Sequence, residues 1–276
     1  MKIVCSTLPL RDLSLTDALH RMAQLGQKQV ELCTDPRHSD YRHWNVQPQK
    51  MIQQINRLGL NINSIHVPSI MPPQDIRFED LQKIHTEATL ESINLASELN
   101  AAFIVQHIYS LKDSNHTALG GEPLADIIPD MRKAADYAAE RRVQIAVENA
   151  AVISARMVGA GIEDVMAVVK GLAHEHTGIC LDVTHCAAAG VDPLNALETI
   201  DIHRLISIHA SDNIFNEFKD QHLAIGSGDI AWKKFFQRLN YYGFRGTLVI
   251  EVADERGDGK PLIESIEYLQ NLEILG

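Results

Sequence analysis

The feature that most limits the fold of this chain is a regular alternation of short apolar segments with longer stretches of helical periodicity. In the longer stretches, apolar residues recur at spacings of three and four, as in Leu15, Ala18, Leu19 and Met22, a pattern typical of amphipathic helices. The short segments predict buried strands. Eight such strands are predicted: Lys2–Cys5, Gln29–Cys33, Asn61–His66, Ala102–His107, Gln144–Glu148, Thr177–Asp182, Leu205–His209 and Thr247–Glu251.

Strands that alternate with helices pair in parallel through right-handed crossovers, and eight such units in 276 residues indicate a closed barrel. An open, doubly wound sheet is the structural alternative, but it should begin with a glycine-rich turn after the first strand. The segment Ser6–Pro9 is not such a turn, and the sequence contains no GxGxxG or Walker-type motif. No linker or low-complexity tract divides the chain. We therefore predict an α/β protein formed by a single (β/α)8 TIM-barrel domain over residues 1–276.

Charge and cysteine usage bear on partners and location. The formal net charge is −11 and no basic run occurs, which argues against a polyanionic partner such as DNA without excluding one. The four cysteines form no CxxC pair, as expected in a reducing cytoplasm. The apolar run before Ser6 is too short for a signal peptide or a membrane span. We expect a cytoplasmic protein with no membrane partner, and we leave its oligomeric state open, a homo-oligomer included.

The predicted strands end in ionisable residues unusually often. Six of them do so, at His66, His107, Glu148, Asp182, His209 and Glu251. In a TIM barrel the carboxyl ends of the strands meet at one mouth, so these side chains should face one another. Three acids gathered there would repel each other unless a cation neutralised them. A mixed set of Glu, Asp and His suits a divalent metal such as Zn, Mn, Mg, Co or Fe.

Two loops beyond these strands add candidates. His185 follows Asp182 after one short turn, and Asp212, Asp220 and His222 follow the seventh strand. Two glycines further on, in the segment 226–230, would allow a tight backbone path near a ligand. The loops at 36–42 and 68–73 are expected to be large and to lie at the same mouth.

Four segments carry a resemblance to a known superfamily. Residues 146–149, 178–185, 208–213 and 222–230 resemble the xylose isomerase-like barrels, a group of sugar isomerases, ketose 3-epimerases, inosose dehydratases and zinc AP endonucleases of the endonuclease IV type. The resemblance extends over nearly the whole chain and implies that Glu148, Asp182, His209 and Glu251 bind one metal. It also implies that the two glutamates move protons on opposite faces of a substrate. His185 would contact a substrate oxygen.

The endonuclease branch of this superfamily implies a larger set of metal ligands in this sequence. Its three-zinc site takes nine ligands, and matching residue types stand here at His66, His107, Glu148, Asp182, His185, His209, Asp220, His222 and Glu251. The Ala-Gly-Gly sequence that follows the first strand in that branch is absent. Conversely, His222 stands where the ketose 3-epimerases carry a substrate-binding arginine.

Three functional hypotheses follow. The first is a metal-dependent isomerase or epimerase of a sugar or polyol ketone, with Glu148 and Glu251 as the catalytic acid and base and one metal per chain. The second is an endonuclease IV-like zinc phosphodiesterase acting on abasic DNA, in which His66, His107, His185, Asp220 and His222 complete a second and third metal site. The third is a non-catalytic sugar-binding barrel. A mere binding protein has no need of two glutamates placed as an acid and base pair, which disfavours the third.

Overall fold

The structure, a computed structural model, describes residues 1–34, 38, 48–68, 78–108, 110–111, 123–151, 157–158, 161–215, 217 and 219–272. The loops expected to be large, 36–42 and 68–73, therefore lie almost wholly outside the described residues. Within the described residues, no helix is both long and apolar enough to cross a membrane.

Eight parallel strands form the centre of the fold. They are β1 (Lys2–Ser6), β2 (Gln29–Cys33), β3 (Asn61–His66), β4 (Phe103–His107), β6 (Gln144–Glu148), β8 (Thr177–Asp182), β9 (Leu205–Ala210) and β10 (Thr247–Ile250). Their order around the sheet is β1-β10-β9-β8-β6-β4-β3-β2, and the sheet closes on itself. Each strand matches a predicted one to within a residue at either end. The closed order confirms the TIM barrel and excludes the open, doubly wound sheet.

A second, two-stranded sheet was not predicted. β5 (Ser110–Leu111) follows β4, and β7 (Met157–Val158) follows β6; the two pair antiparallel. Segments of two residues are too short to show any period in sequence. They tie together the connections that leave the barrel beyond His107 and Glu148.

Helices separate the strands and cover the outside of the barrel. They are α1 (Leu15–Gln24), α2 (Pro48–Leu58), α3 (Phe78–Glu98), α4 (Pro123–Glu140), α5 (Ile162–Leu172), α6 (Val183–Ala188), α7 (Pro193–Thr199), α8 (Trp232–Tyr241) and α9 (Lys260–Asn271).

Helix α1 shows how local sequence fixes such a helix. The Ser14 side chain caps its first turn by accepting a hydrogen bond from the Asp17 backbone N–H at 3.0 Å. Its predicted apolar stripe is buried against the barrel. The helix ends just before Gly26, whose φ of 73° lies in the left-handed region that favours glycine.

The strand register decides which side chains share the barrel interior. Residues paired in neighbouring strands point to the same side of the sheet, and His107 pairs with Glu148 while Asp182 pairs with His209. Each pair therefore shares one side of the sheet, and the contacts of Glu148 with both His107 and His209 bring the two pairs together at the carboxyl end of the barrel. Towards the amino end, Phe103, Val105, Ala146 and Cys180 pack together as a small apolar cluster. The interior thus changes from apolar to ionisable within a few residues of each strand.

Candidate metal centre

The four residues predicted to bind one metal meet at the mouth of the barrel. One ligand atom from each of Glu148, Asp182, His209 and Glu251 lies within 4.8 Å of every other. The Nδ1 atom of His209 is 2.9 Å from Oε1 of Glu148 and 2.5 Å from Oε2 of Glu251. None of the four residues is more than 4% exposed. Three carboxylates and one imidazole therefore surround a single point that solvent barely reaches.

Glu148 belongs to a second ligand set through its other oxygen. Oε2 of Glu148 lies 3.0 Å from Nε2 of His66 and 3.3 Å from Nε2 of His107. These three side chains again offer ligand atoms within 4.8 Å of one another. Glu148 thus lies between two sets, with Oε1 facing His209 and Oε2 facing the histidine pair.

Asp182, like Glu148, belongs both to the central set and to a further one, the third set. Its ligand atoms and those of His185 and His222 lie within 4.8 Å of one another. Asp220 completes this set, with its carboxylate 3.0 Å from Nε2 of His222 and 3.7 Å from Nε2 of His185. All nine side chains whose types match the zinc ligands of the endonuclease branch therefore lie together in three adjoining sets.

Backbone carbonyls orient three of the histidines. The Nδ1 atom of His66 is 2.8 Å from the Val67 carbonyl oxygen, and that of His185 is 2.9 Å from the Asn149 carbonyl oxygen. The Nδ1 atom of His222 is 2.9 Å from the carbonyl oxygen of Glu251. A hydrogen bond from Nδ1–H to a carbonyl leaves Nε2 as the basic nitrogen, which is how metal-binding histidines are commonly held.

His222 also adopts an unusual backbone conformation. Its φ of 46° lies in the left-handed region, where a non-glycine residue is strained by about 1 kcal/mol or more. Its carbonyl oxygen accepts a hydrogen bond from the Ala253 N–H at 2.7 Å, and its ring is held as described. The surroundings thus keep the side chain aimed at Asp220 despite the strain.

The pKa values show that the buried carboxylates are compensated unequally. Burial raises the pKa of Asp182 to about 6, and its Oδ2 atom is buried without a hydrogen-bond partner among the described residues. Burial alone would also raise the pKa of Glu251, but His209 outweighs it and lowers this pKa to about 2. Against burial, the surrounding negative groups raise the pKa of His209 well above its usual value. The cluster thus holds buried negative charge that protonated histidines balance at Glu251 but not at Asp182, and a divalent cation fits this need.

Two further histidines have opposite pKa shifts. Burial works against protonation of both His66 and His107, but the hydrogen bond to Glu148 raises the pKa of His66 to about 9. At His107 burial prevails and lowers the pKa to about 4. In the third set, Asp220 outweighs burial and raises the pKa of His222 to about 9.

Asp212, a candidate from the sequence, has a structural role instead. Its carboxylate accepts hydrogen bonds from the N–H of Gly226 at 2.8 Å, the N–H of Ile230 at 3.1 Å and the Trp232 indole at 2.9 Å. A Cβ atom at Gly228 would lie 2.5 Å from the Asn213 carbonyl oxygen, so the loop closes too tightly there for a side chain. The two glycines therefore shape the loop that carries Asp220 and His222.

One buried acid near this centre, Glu31, is not among the residues predicted from the sequence. It lies within β2 and is 0% exposed. Its Oε1 atom is 3.3 Å from Nε2 of His209, and its Oε2 atom accepts a hydrogen bond from the Ser64 hydroxyl at 2.6 Å. Its signal in the sequence is a glutamate inside the apolar run Gln29–Cys33, but Glu31 does not end its strand and so falls outside the strand-end rule.

Comparison with known proteins defines the family. The sequence model described as "Xylose isomerase-like TIM barrel" matches residues 19–272. The chain therefore belongs to the xylose isomerase-like TIM barrel family, as the resemblance in its sequence implied.

Individual relatives and solved structures that resemble this chain carry different descriptions. The chain is 25% identical to the "Uncharacterized protein MJ1311" of Methanocaldococcus jannaschii, over 98% of this chain and 90% of that protein. It is 29% identical to a "Probable endonuclease 4" of Akkermansia muciniphila, but that match spans only 41% of this chain and 46% of the relative. A solved structure described as a "D-tagatose 3-epimerase-like protein" is 23% identical, covers 99% of this chain and 98% of its own, and superposes with a TM-score of 0.79. The structural likeness establishes the shared fold.

Proposed function

We propose that this protein is a metal-dependent hydrolase of phosphodiester bonds, with three divalent cations at the mouth of the barrel. The observation that carries the proposal is the arrangement of Glu148 and Asp182. Each carboxylate belongs to two of the three adjoining ligand sets. Carboxylates shared in this way are what a multinuclear centre needs, whereas a single cation would need only one of the sets.

The residues fit zinc in particular. Four imidazoles outside the central set, together with carboxylate oxygens, provide the mixed nitrogen and oxygen donors that zinc takes in catalytic sites. His66, His107 and Glu148 would hold one cation, and Glu148, Asp182, His209 and Glu251 a second. His185, Asp220 and His222, with Asp182, would hold the third.

Bound cations at such a site would lower the pKa of water and neutralise charge on a phosphoryl group. Hydrolysis forms a bond from the water oxygen to phosphorus and breaks the bond from phosphorus to the leaving oxygen. One proton leaves the water and one reaches the leaving oxygen. Glu251 faces the point next to Nδ1 of His209 and belongs to only one of the three sets, so it is placed to accept the first proton, whereas both oxygens of Glu148 are taken up by the shared sites.

The similarity to endonuclease 4 supports an abasic site in duplex DNA as the first substrate to test. The net charge of −11 predicts weak binding of a long polyanion at physiological salt, so the small diester bis(p-nitrophenyl) phosphate should be assayed in parallel. We expect the zinc-loaded protein to hydrolyse the small diester. Nicking of the abasic duplex would identify nucleic acid as the substrate class.

The matched variants are Glu148→Gln and Glu175→Gln. Glu148 is fully buried at the centre, whereas Glu175 is exposed at the opposite, amino end of β8. Glu148→Gln should lose at least about 100-fold in kcat, and Glu175→Gln should retain full activity. If a fully metallated sample hydrolyses neither substrate, the proposal is wrong.

A second candidate is the metal-dependent isomerase or epimerase of a sugar or polyol ketone. The observation that favours it is the pair Glu148 and Glu251, which approach one point from the end of β6 and from the residue after β10, as a proton donor and acceptor would. In that case a single cation would occupy the central set, and His66, His107, His185 and His222 would contact substrate. Exchange of a substrate carbon-bound proton with deuterated solvent would detect this activity directly.

A further inference from the structure

One histidine at the centre is turned the opposite way from its neighbours. His66, His185 and His222 are each held through Nδ1 by a backbone carbonyl, which directs Nε2 into the site. His209 instead directs Nδ1 towards Glu148 and Glu251. Its Nε2 atom points the other way, into the barrel, and no backbone carbonyl of the described residues accepts a hydrogen bond from it.

Glu31 is the group that meets this nitrogen. Its Oε1 atom lies 3.3 Å from Nε2 of His209 as an ion pair, and both side chains are 0% exposed. Neither of these two atoms has a hydrogen-bond partner among the described residues, so each is the other's charged neighbour. The other oxygen of Glu31 accepts a hydrogen bond of 2.6 Å from the Ser64 hydroxyl, and Ser64 is also fully buried. A buried carboxylate is costly unless it is paired, so its presence inside an apolar strand calls for a partner.

We propose that Glu31 is a positioning residue that fixes His209 with Nε2 protonated and Nδ1 free to bind the central cation. A carboxylate that accepts a hydrogen bond from the distal ring nitrogen of a histidine fixes the tautomer and the ring orientation and makes the other nitrogen more basic. Ser64 in turn holds Glu31 in the rotamer that reaches His209. The inference rests on the central metal site of the proposed function and does not depend on which reaction occurs there.

The first test uses the unmutated protein. In zinc-loaded protein with 15N-labelled histidine, a long-range 1H–15N spectrum shows which ring nitrogen of His209 carries the proton. We expect a protonated Nε2 and a zinc-bound Nδ1. A proton on Nδ1, or zinc on Nε2, would overturn the inference whatever substrate the protein acts on.

The second test compares zinc affinity among three variants, measured by competition with a chromogenic chelator. Glu31→Leu removes the acceptor and should lower the zinc affinity of the central site by about 10- to 100-fold. Glu31→Gln keeps a side-chain carbonyl that can accept from Nε2–H, so it should restore most of the affinity. Thr247→Val, which removes a buried hydroxyl at the amino end of β10, is the control for disturbance of the barrel interior and should bind zinc normally.

Each outcome decides the inference. Equal zinc affinity in the Leu variant and the unmutated protein would overturn it, even if phosphodiester hydrolysis is observed. If the Leu variant does not fold, the spectrum of the unmutated protein still decides. Conversely, the expected affinities and spectrum together with no hydrolysis would refute the proposed reaction and leave the role of Glu31 standing.

Discussion

Replacing Asp182 with Asn should make the metal-free protein more stable. Burial raises the pKa of Asp182 to about 6, which means that folding favours its protonated form. Asn is nearly isosteric with that neutral form. Asp182 also caps α6 by accepting a hydrogen bond from the His185 backbone N–H at 2.7 Å, and Asn can accept the same bond. The substitution therefore removes the buried charge and retains the cap.

The magnitude follows from the shift of the pKa. A rise from 3.8 in the unfolded chain to about 6 in the folded protein is about two units, or about 3 kcal/mol when the group is ionised in both states. A raised pKa leaves stability intact below about pH 4 and lowers it as the pH rises through about 6. The variant should therefore gain about 3 kcal/mol at pH 7.5 but only about 1 kcal/mol at pH 4.5.

Urea denaturation in the presence of a chelator, at both pH values, measures this difference. The same titration with zinc provides the functional half of the test, since the unmutated protein should be stabilised strongly and Asp182→Asn much less. A variant that is no more stable at pH 7.5 without metal would show that the carboxylate is not a source of strain. Equal stabilisation of both proteins by zinc would show that Asp182 is not a ligand.

Three other predictions concern the same site and its loop. His107→Ala should lose one cation per chain and keep the others, because His107 belongs to a single ligand set; elemental analysis of the variant decides this. Zinc affinity should rise from pH 6.5 to 9, because the pKa of His66 and that of His222 are about 9 and both rings must lose a proton to bind zinc. Calorimetry in buffers of different ionisation enthalpy should show this proton release, and a zinc affinity that does not change with pH would contradict the prediction. Gly228→Ala should destabilise the protein by about 1–3 kcal/mol, because its Cβ would meet the Asn213 carbonyl, and an unchanged Tm would refute the close approach.

The sequence predicted the barrel well because its signals are local. Apolar strand segments and amphipathic helices are read directly from residue spacing, and parallel topology follows from their alternation. The convergence of strand-end residues such as His66 and Glu251 then follows from the geometry of any TIM barrel. The rule that strand ends meet at one mouth is therefore enough to predict the position of six of the nine side chains in the three ligand sets.

Other features depend on which side chain meets which, and spacing does not encode this. Glu31 and His209 are far apart in the chain, and only the closed barrel brings them to 3.3 Å. The role of Asp212 depends on the path of the loop that its carboxylate holds. Likewise, the division of Glu148 between two ligand sets is visible only once its two oxygens have separate partners.

The number of divalent cations bound per chain tests the central claim most directly. Elemental analysis of protein purified without chelator, against a chelated sample as the baseline, provides that number. The shared positions of Glu148 and Asp182 predict three cations per chain, with zinc foremost. A single bound cation per chain would contradict the multinuclear centre, make the outer histidines substrate contacts, and favour proton transfer on a sugar instead of phosphodiester hydrolysis.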